Sequence, residues 1–259
     1  MVMSETRTHE ALVGQQFGSR AAAYLASAPH AQGADLPVLA ALVAGRAEAH
    51  VLDLGCGAGH VSFHVAPHVK NVIAYDLSPD MLSVVARAAA DRGLANIVTR
   101  QGVAEQLPFG DASFDIVLSR YSAHHWQDLE AGLDEAARVL KPGGLAVFVD
   151  GISPGIPLLD THLQAIELLR DPSHVRNYSR AEWESAMVRA RLTSCTVTVH
   201  HVRLDFRSWI ERMRTPKVQV EAIRALHAAM SAGVARYFDI AADGSFTLDV
   251  GVFQARKAA

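Results

Sequence analysis

Between residues 50 and 150, short apolar runs alternate with longer stretches whose apolar positions recur at helical spacing. His50 to Leu54 is a short apolar run that ends in Gly55-Cys56-Gly57-Ala58-Gly59, and it reads as a buried parallel strand. Residues 58–67 fit a helix stopped by Pro67. Asn71 to Tyr75 is a second strand closed by Asp76. Ser78-Pro79 opens the next helix with an N-cap hydroxyl and a first-turn proline, and Gly93 ends it. Asn96–Arg100, Phe114–Ser119 and Leu145–Asp150 read as three more strands. A helix spans Leu129–Leu140, and Lys141-Pro142-Gly143-Gly144 is a turn.

Before this region, residues 8–27 and 33–46 predict two helices. After it, residues 158–170 and 180–191 predict helices, and Thr193–Phe206 alternates like a strand. Helices over 207–231 break near Thr215-Pro216, and Phe246–Gln254 is a final strand. The alternation predicts an α/β fold with a doubly wound, mostly parallel sheet and right-handed crossovers. We divide the chain into an N-terminal helical cap (1–46), an α/β core (47–150) and lid helices with a closing β-hairpin (151–259).

Composition narrows the function classes. Half of the 259 residues are hydrophobic, enough for a globular core. Lys and Arg number 24 against 27 Asp and Glu, a net charge of −3 without basic runs, which argues against nucleic acid as a partner. Cys56 and Cys195 are too few for a disulfide framework or a four-cysteine zinc site, and they fit a reducing, cytoplasmic setting. No run approaches the ~18 apolar residues of a membrane span. The first ten residues lack the pattern of a signal peptide. The sequence does not speak to oligomeric state.

The glycine run after the first strand carries the chemistry. It allows a sharp turn and a close ligand approach. Asp76, at the tip of the second strand, is placed to accept hydrogen bonds from two vicinal ribose hydroxyls. The run departs from a dinucleotide fingerprint, because the third glycine comes one position early and His60 stands where the last glycine would be. Asp53 would repel a pyrophosphate and suits a ligand with a cationic amine. A phosphate-free nucleoside with an amino-acid tail, S-adenosylmethionine, fits best.

Five blocks now stand in order: Asp53–Gly59, Asp76–Leu82, Glu105–Phe109, Phe114–Val117 and Arg138–Gly144. Together they resemble the class I S-adenosylmethionine-dependent methyltransferases. Within these they are similar to the type 11 group and the ubiquinone/menaquinone-biosynthesis enzymes. The resemblance covers residues 12–150 and implies a seven-stranded sheet whose last strand is antiparallel. It implies that Gly55, Cys56, Gly57 and Gly59 form the cofactor loop, with Asp53 near the methionine amine. It places Asp76 on the ribose, Leu77 on the adenine face, and Val103, Ala104 and Glu105 at the adenine edge. Ser119 and Arg120 would lie near the methionine portion, and Phe17-Gly18-Ser19 with Tyr24 would cap the cofactor. Many relatives carry Asp where this chain has Val103. Glu105 or a backbone carbonyl replaces that acceptor, or the adenine is held less tightly.

The implied reaction is methyl transfer to a small or medium-sized acceptor, hydrophobic or aromatic to suit the apolar lid helices. The alternative is a catalytically silent protein that binds S-adenosylmethionine or S-adenosylhomocysteine. No Asn/Asp-Pro-Pro-Tyr tetrapeptide follows the fourth strand, which disfavours amino-methylating DNA and protein enzymes. His124 and His125 follow that strand, where doubly wound sheets build active sites, and each is a candidate general base. Arg120, His124 and Tyr178 are expected to face one pocket, with Arg176 available to an anionic substrate. His60, His64 and His68 recur every four residues and read as a solvated helix face; no metal site is expected.

Overall fold

The computed structural model describes residues 8–18, 21, 25, 33 and 35–259. A seven-stranded sheet forms the centre. Its strands are β1 (His50–Leu54), β2 (Asn71–Asp76), β3 (Ile97–Gln101), β4 (Phe114–Arg120), β5 (Leu140–Gly151), β6 (Leu192–Leu204) and β7 (Phe246–Lys257). The spatial order is β3-β2-β1-β4-β5-β7-β6. Strands β1 to β5 run parallel. β7 is antiparallel to both β5 and β6. The order reverses between β1 and β4, so their C-terminal ends flank a crevice where such sheets bind ligands.

Two apolar layers cover the two faces. Val51, Ile116, Leu118 and Val147 face one layer. Leu52, Val117, Ala146 and Phe148 face the other. This alternation is the period-two geometry of a strand, and burial on both faces explains why the central strands read as unbroken apolar runs.

Side-chain caps start three of the helices. Ser78 Oγ caps α4 (Pro79–Asp91) by accepting from the Met81 amide at 3.3 Å. Asp128 caps α5 (Leu129–Val139) through the Ala131 amide at 3.1 Å. Ser179 and Glu182 form a reciprocal capping box on α7 (Arg180–Arg189). The remaining helices are α1 (His9–Gly18), α2 (Asp35–Val43), α3 (His60–Val65), α6 (Pro157–Arg170), α8 (Phe206–Met213), α9 (Lys217–Ala229) and α10 (Ala232–Tyr237).

The structure departs from the sequence reading in three places. Lys141–Gly144 lies within β5, where Gly143 takes φ +73° and the β4–β5 ladder shifts register. Helix α10 carried no distinct sequence signal. The helices near the C-terminus build a separate core of Leu159, Leu163, Ile166, Phe206, Trp209 and Phe246. No helix among the described residues is long and apolar enough to cross a membrane.

Candidate functional site

The glycine turn opens a cavity at the C-terminal ends of β1, β2 and β4. With its mouth it encloses about 1090 Å³. Gly55, Gly57 and Gly59 all have positive φ, at +71°, +50° and +86°. The amides of Gly55 and Cys56 both donate to the Tyr75 carbonyl, at 2.8 and 2.9 Å, which fixes the turn against β2. A side chain at Gly55 would collide with Ser122.

Of the acidic residues that line this cavity, Asp53 and Asp76 stand at the glycine turn. Asp76 is held by two backbone amides: Gly57 donates to Oδ2 and Ser78 to Oδ1, each at 2.8 Å. Burial pushes its carboxyl up, against the pull of these bonds. Asp53 is almost fully buried. Its Oδ2 accepts from the Ser62 amide at 3.0 Å and from the Ser62 hydroxyl at 2.6 Å. Among the described residues, its Oδ1 has no hydrogen-bond partner. Burial, outweighing the Ser62 bonds, pushes Asp53 up to about 7. A sealed carboxylate oxygen without a donor is costly unless a ligand supplies one.

Most of the sequence-predicted residues meet here. Asp53, Gly55, Cys56, Gly57, Asp76, Leu77, Val103, Ala104, Glu105, Arg120 and His125 line the cavity. Gly59 does not line it; it packs against Phe63 and Val85 and starts α3. Ser119 does not reach it either. Strand alternation turns this buried residue into the sheet beside Phe148, while Arg120 reaches the cavity wall. Tyr24 lies outside the described residues. Burial and the two nearby carboxylates push the Cys56 thiol well up, so it is no nucleophile.

Three expected partners are already engaged. Glu105 Oε1 accepts from the Gln127 amide at 2.8 Å. The Val103 carbonyl accepts from the Tyr75 hydroxyl at 3.1 Å. Arg120 forks onto Asp35 of α2, with Nη2 3.0 Å from Oδ1, and lies over the Tyr121 ring.

A second cavity of about 840 Å³ adjoins the first, and Phe17, Tyr121 and His125 line both. His124 faces the second cavity. Arg120, His124 and Tyr178 therefore do not share a pocket: Tyr178 lines a separate surface groove. Arg176 lines neither cavity and is tied to Asp160 and Glu182 at 3.2 and 3.1 Å. Helix α1 lies across the first cavity, with His9, Glu10, Val13 and Phe17 in its wall. His9 Nε2 donates to the His125 carbonyl at 2.9 Å, and Phe17 meets the His125 ring edge-on at 4.9 Å. Among the described residues, no group of three or more His, Cys, Asp or Glu is placed to hold a metal ion.

Comparison with known proteins gives the arrangement a family. A family model described as "Methyltransferase domain" matches residues 52–148. Uncharacterized protein YafE of Escherichia coli is 50% identical over 205 residues, covering 79% of this chain and 99% of YafE. Uncharacterized methyltransferase YcgJ of Bacillus subtilis is 38% identical over 200 residues, covering 77% of this chain and 79% of YcgJ. The YcgJ crystal structure superposes with a TM-score of 0.83 at 34% identity, over 87% of this chain and 98% of that one. The chain belongs to the class I S-adenosylmethionine-dependent methyltransferases.

Several features of this methyltransferase site escaped the sequence reading. Asp35, Ser122 and Asp150 each touch a site residue from a distant part of the chain, and Ser62 reaches Asp53 from the helix that follows the glycine turn. Tyr121 takes φ +51°, rare for a bulky residue, on the wall the two cavities share. Only Asp150 carried a usable signal: it is an acid at the C-terminal tip of a predicted strand, where sites in this methyltransferase fold are built.

Proposed function

We propose that the protein transfers a methyl group from S-adenosylmethionine, bound in the first cavity, to a small or medium-sized acceptor bound in the second. The single observation that carries this reading is the unpartnered Oδ1 of Asp53 beside a cavity that also presents Asp76. A phosphate-free nucleoside with an ammonium group answers both carboxylates. Asp53 would accept from the methionine amine, Asp76 would hold the ribose hydroxyls, and Leu77 with Val103 and Ala104 would flank the adenine. Glu105 would support that edge through the 127–128 backbone rather than by direct contact.

The bound sulfonium supplies an activated methyl group. The chain's part is to orient an acceptor toward it and exclude water. Leu204, Trp209, Met213 and Leu248 give the second cavity an apolar wall. His124 and His125 stand at its polar end as candidates for proton handling. Helix α1 would close the first cavity over the nucleoside.

Calorimetry with S-adenosylhomocysteine tests the binding half, and methyl-transfer assays on a metabolite panel test the reaction. Saturable binding with turnover supports the proposal. Binding without turnover across a broad panel favours a silent binding protein. No binding, with Asp53→Ala and Asp76→Ala behaving as wild type, overturns the proposal.

A further inference from the structure

Three imidazoles cluster at the second cavity: His124 and His125 line it, and His174 packs beside His124. The His124 ring centroid lies 4.1 Å from that of His125 and 5.7 Å from that of His174. Charges so close repel, so the cluster does not hold a proton on every ring. The hydrogen bonds decide which ring takes one. His125 Nδ1 sits 3.0 Å from the Ser173 carbonyl, an acceptor, so this nitrogen carries the proton of a neutral ring. His174 Nε2 sits 3.0 Å from Gln164 Oε1, which also accepts from the Asn177 amide at 3.1 Å, so this nitrogen too is a donor. Burial, then the neighbouring positive charges, holds His125 down to about 4 and His174 to about 2.

His124 alone is paired with a carboxylate. Its Nδ1 lies 2.6 Å from Asp150 Oδ1, and its own amide donates to Asp150 Oδ2 at 3.1 Å. The Gly151 amide donates to Oδ1 at 2.8 Å, so the buried carboxylate is fixed on three sides. The His124 carbonyl accepts from the Val175 amide at 2.8 Å, which pins the loop that carries the ring. An acceptor-only carboxylate at Nδ1 fixes the tautomer and leaves the Nε2 lone pair for the cavity. The side chain keeps 20% of its surface accessible. Burial disfavours the imidazolium, but Asp150, then Glu167 and Asp171, outweigh it and move His124 upward.

We infer that His124 is the catalytic base and Asp150 its positioning residue, and that the acceptor is a neutral phenolic or enolic hydroxyl compound. This rests on the second cavity being the acceptor site, as proposed above. The charges around the ring favour that class. Asp150, Glu167 and Asp171 disfavour an anionic acceptor. Arg170 gives its guanidinium to the Trp209 carbonyl at 3.0 Å and to Glu167 at 3.2 Å, and Arg212 completes the mixed lining. An ammonium acceptor would confront an imidazole built to become a cation. A neutral hydroxyl donates to Nε2 and needs the base, because its oxygen is a poor nucleophile until the proton leaves. In the step, the O–H bond breaks toward His124 Nε2 and the oxygen pair forms the bond to the methyl carbon as the carbon–sulfur pair returns to sulfur. A neutral ether, a neutral thioether and an imidazolium result, and the imidazolium returns its proton to water.

The test uses 4-nitrophenol, whose anion is coloured, with protein saturated in S-adenosylhomocysteine. Calorimetry first measures that saturation. Its absence overturns the proposed function and this inference with it. With the site loaded, and the pH about one unit below the probe's own ionisation, wild type should raise the phenolate absorbance as it binds. Asp150→Asn and His124→Gln should bind the probe with at least a fivefold smaller gain, and Asp150→Glu should restore part of it. His124→Gln guards against misfolding of the Asp150 variant, since it leaves the buried carboxylate its backbone donors. Loaded wild type that binds no phenol, that binds it without ionisation, or that prefers 4-nitrobenzylamine overturns the inference alone. An equal gain in both variants does the same.

Discussion

Asp76 Oδ2 accepts the Gly57 amide proton at 2.8 Å, which ties the acid at the end of β2 to the glycine turn after β1. The two parts of the candidate nucleoside site are thus one hydrogen-bonded unit. The Ser78 amide holds the other oxygen, so the carboxylate is oriented before any ligand arrives. Removing the side chain deletes the ribose acceptors and frees the turn. Asp76→Ala should weaken S-adenosylhomocysteine binding at least tenfold, about 1.4 kcal/mol or more. Asp76→Asn should fall between it and wild type. Calorimetry measures both, with the melting temperature as the check on folding.

Gly55 and Gly57 should respond differently to alanine. Both sit at positive φ, which costs a side chain on the order of 1 kcal/mol. At Gly55 the new methyl would also overlap Ser122, which receives the Trp126 indole hydrogen bond at 3.1 Å. At Gly57 it meets open space. Gly55→Ala should therefore lower both melting temperature and ligand affinity. Gly57→Ala should lose affinity with a smaller loss of stability. Equal thermal losses for the two would contradict this account.

The sequence signals that succeeded are local ones. The apolar run of β1, the glycines after it and the acid closing β2 lie within 27 residues, and each is dictated by backbone geometry at its own position. The Asp35–Arg120 pair joins residues 85 apart, and nothing in either neighbourhood announces the other. Asp150 and His124 meet because β4 and β5 are adjacent and parallel, a topological fact rather than a spacing. Ser119 and Arg120 show the limit most clearly. They are consecutive, and the strand sends only the second to the cavity.

Asp53 should give ligand binding a pH dependence. Its carboxyl ionises near 3.8 in the unfolded chain and near 7 in the fold. Its contribution to stability is present below 3.8 and is lost as the pH rises through 7. Above that value the fold carries a buried anion with one unpartnered oxygen. Asp53→Asn should therefore melt several degrees higher than wild type at about pH 8, and the difference should shrink on acidification. Binding an ammonium reverses the preference and draws the proton off Asp53. Affinity for S-adenosylhomocysteine should rise with pH through 7 in wild type and stay flat in Asp53→Asn. Calorimetry in buffers of different ionisation enthalpy should show proton release below that pH.

His162 of α6 and His227 of α9 should make the C-terminal helical core acid-sensitive. Their rings stack at 5.4 Å, and among the described residues neither nitrogen of His227 has a hydrogen-bond partner. Phe206 and Phe246 pack around His227, and its charged neighbours are His162 and Arg224. Burial, then these positive charges, lowers His227 from 6.5 to about 4. Burial lowers His162 as well. Above 6.5 the imidazole is neutral in both states and costs nothing. Between 6.5 and 4 the unfolded chain binds a proton that the fold refuses, so stability falls across that window. His227→Phe should remove much of this loss, because an aromatic ring of similar shape fills the site without an ionisable group. The comparison belongs in an Asp53→Asn background, since Asp53 works in the opposite direction over the same range. There the melting temperature of the parent should drop by at least ~2–4 °C from about pH 6.5 to about pH 5. The His227→Phe protein should drop by clearly less, and parallel slopes for the two would place the acid sensitivity elsewhere.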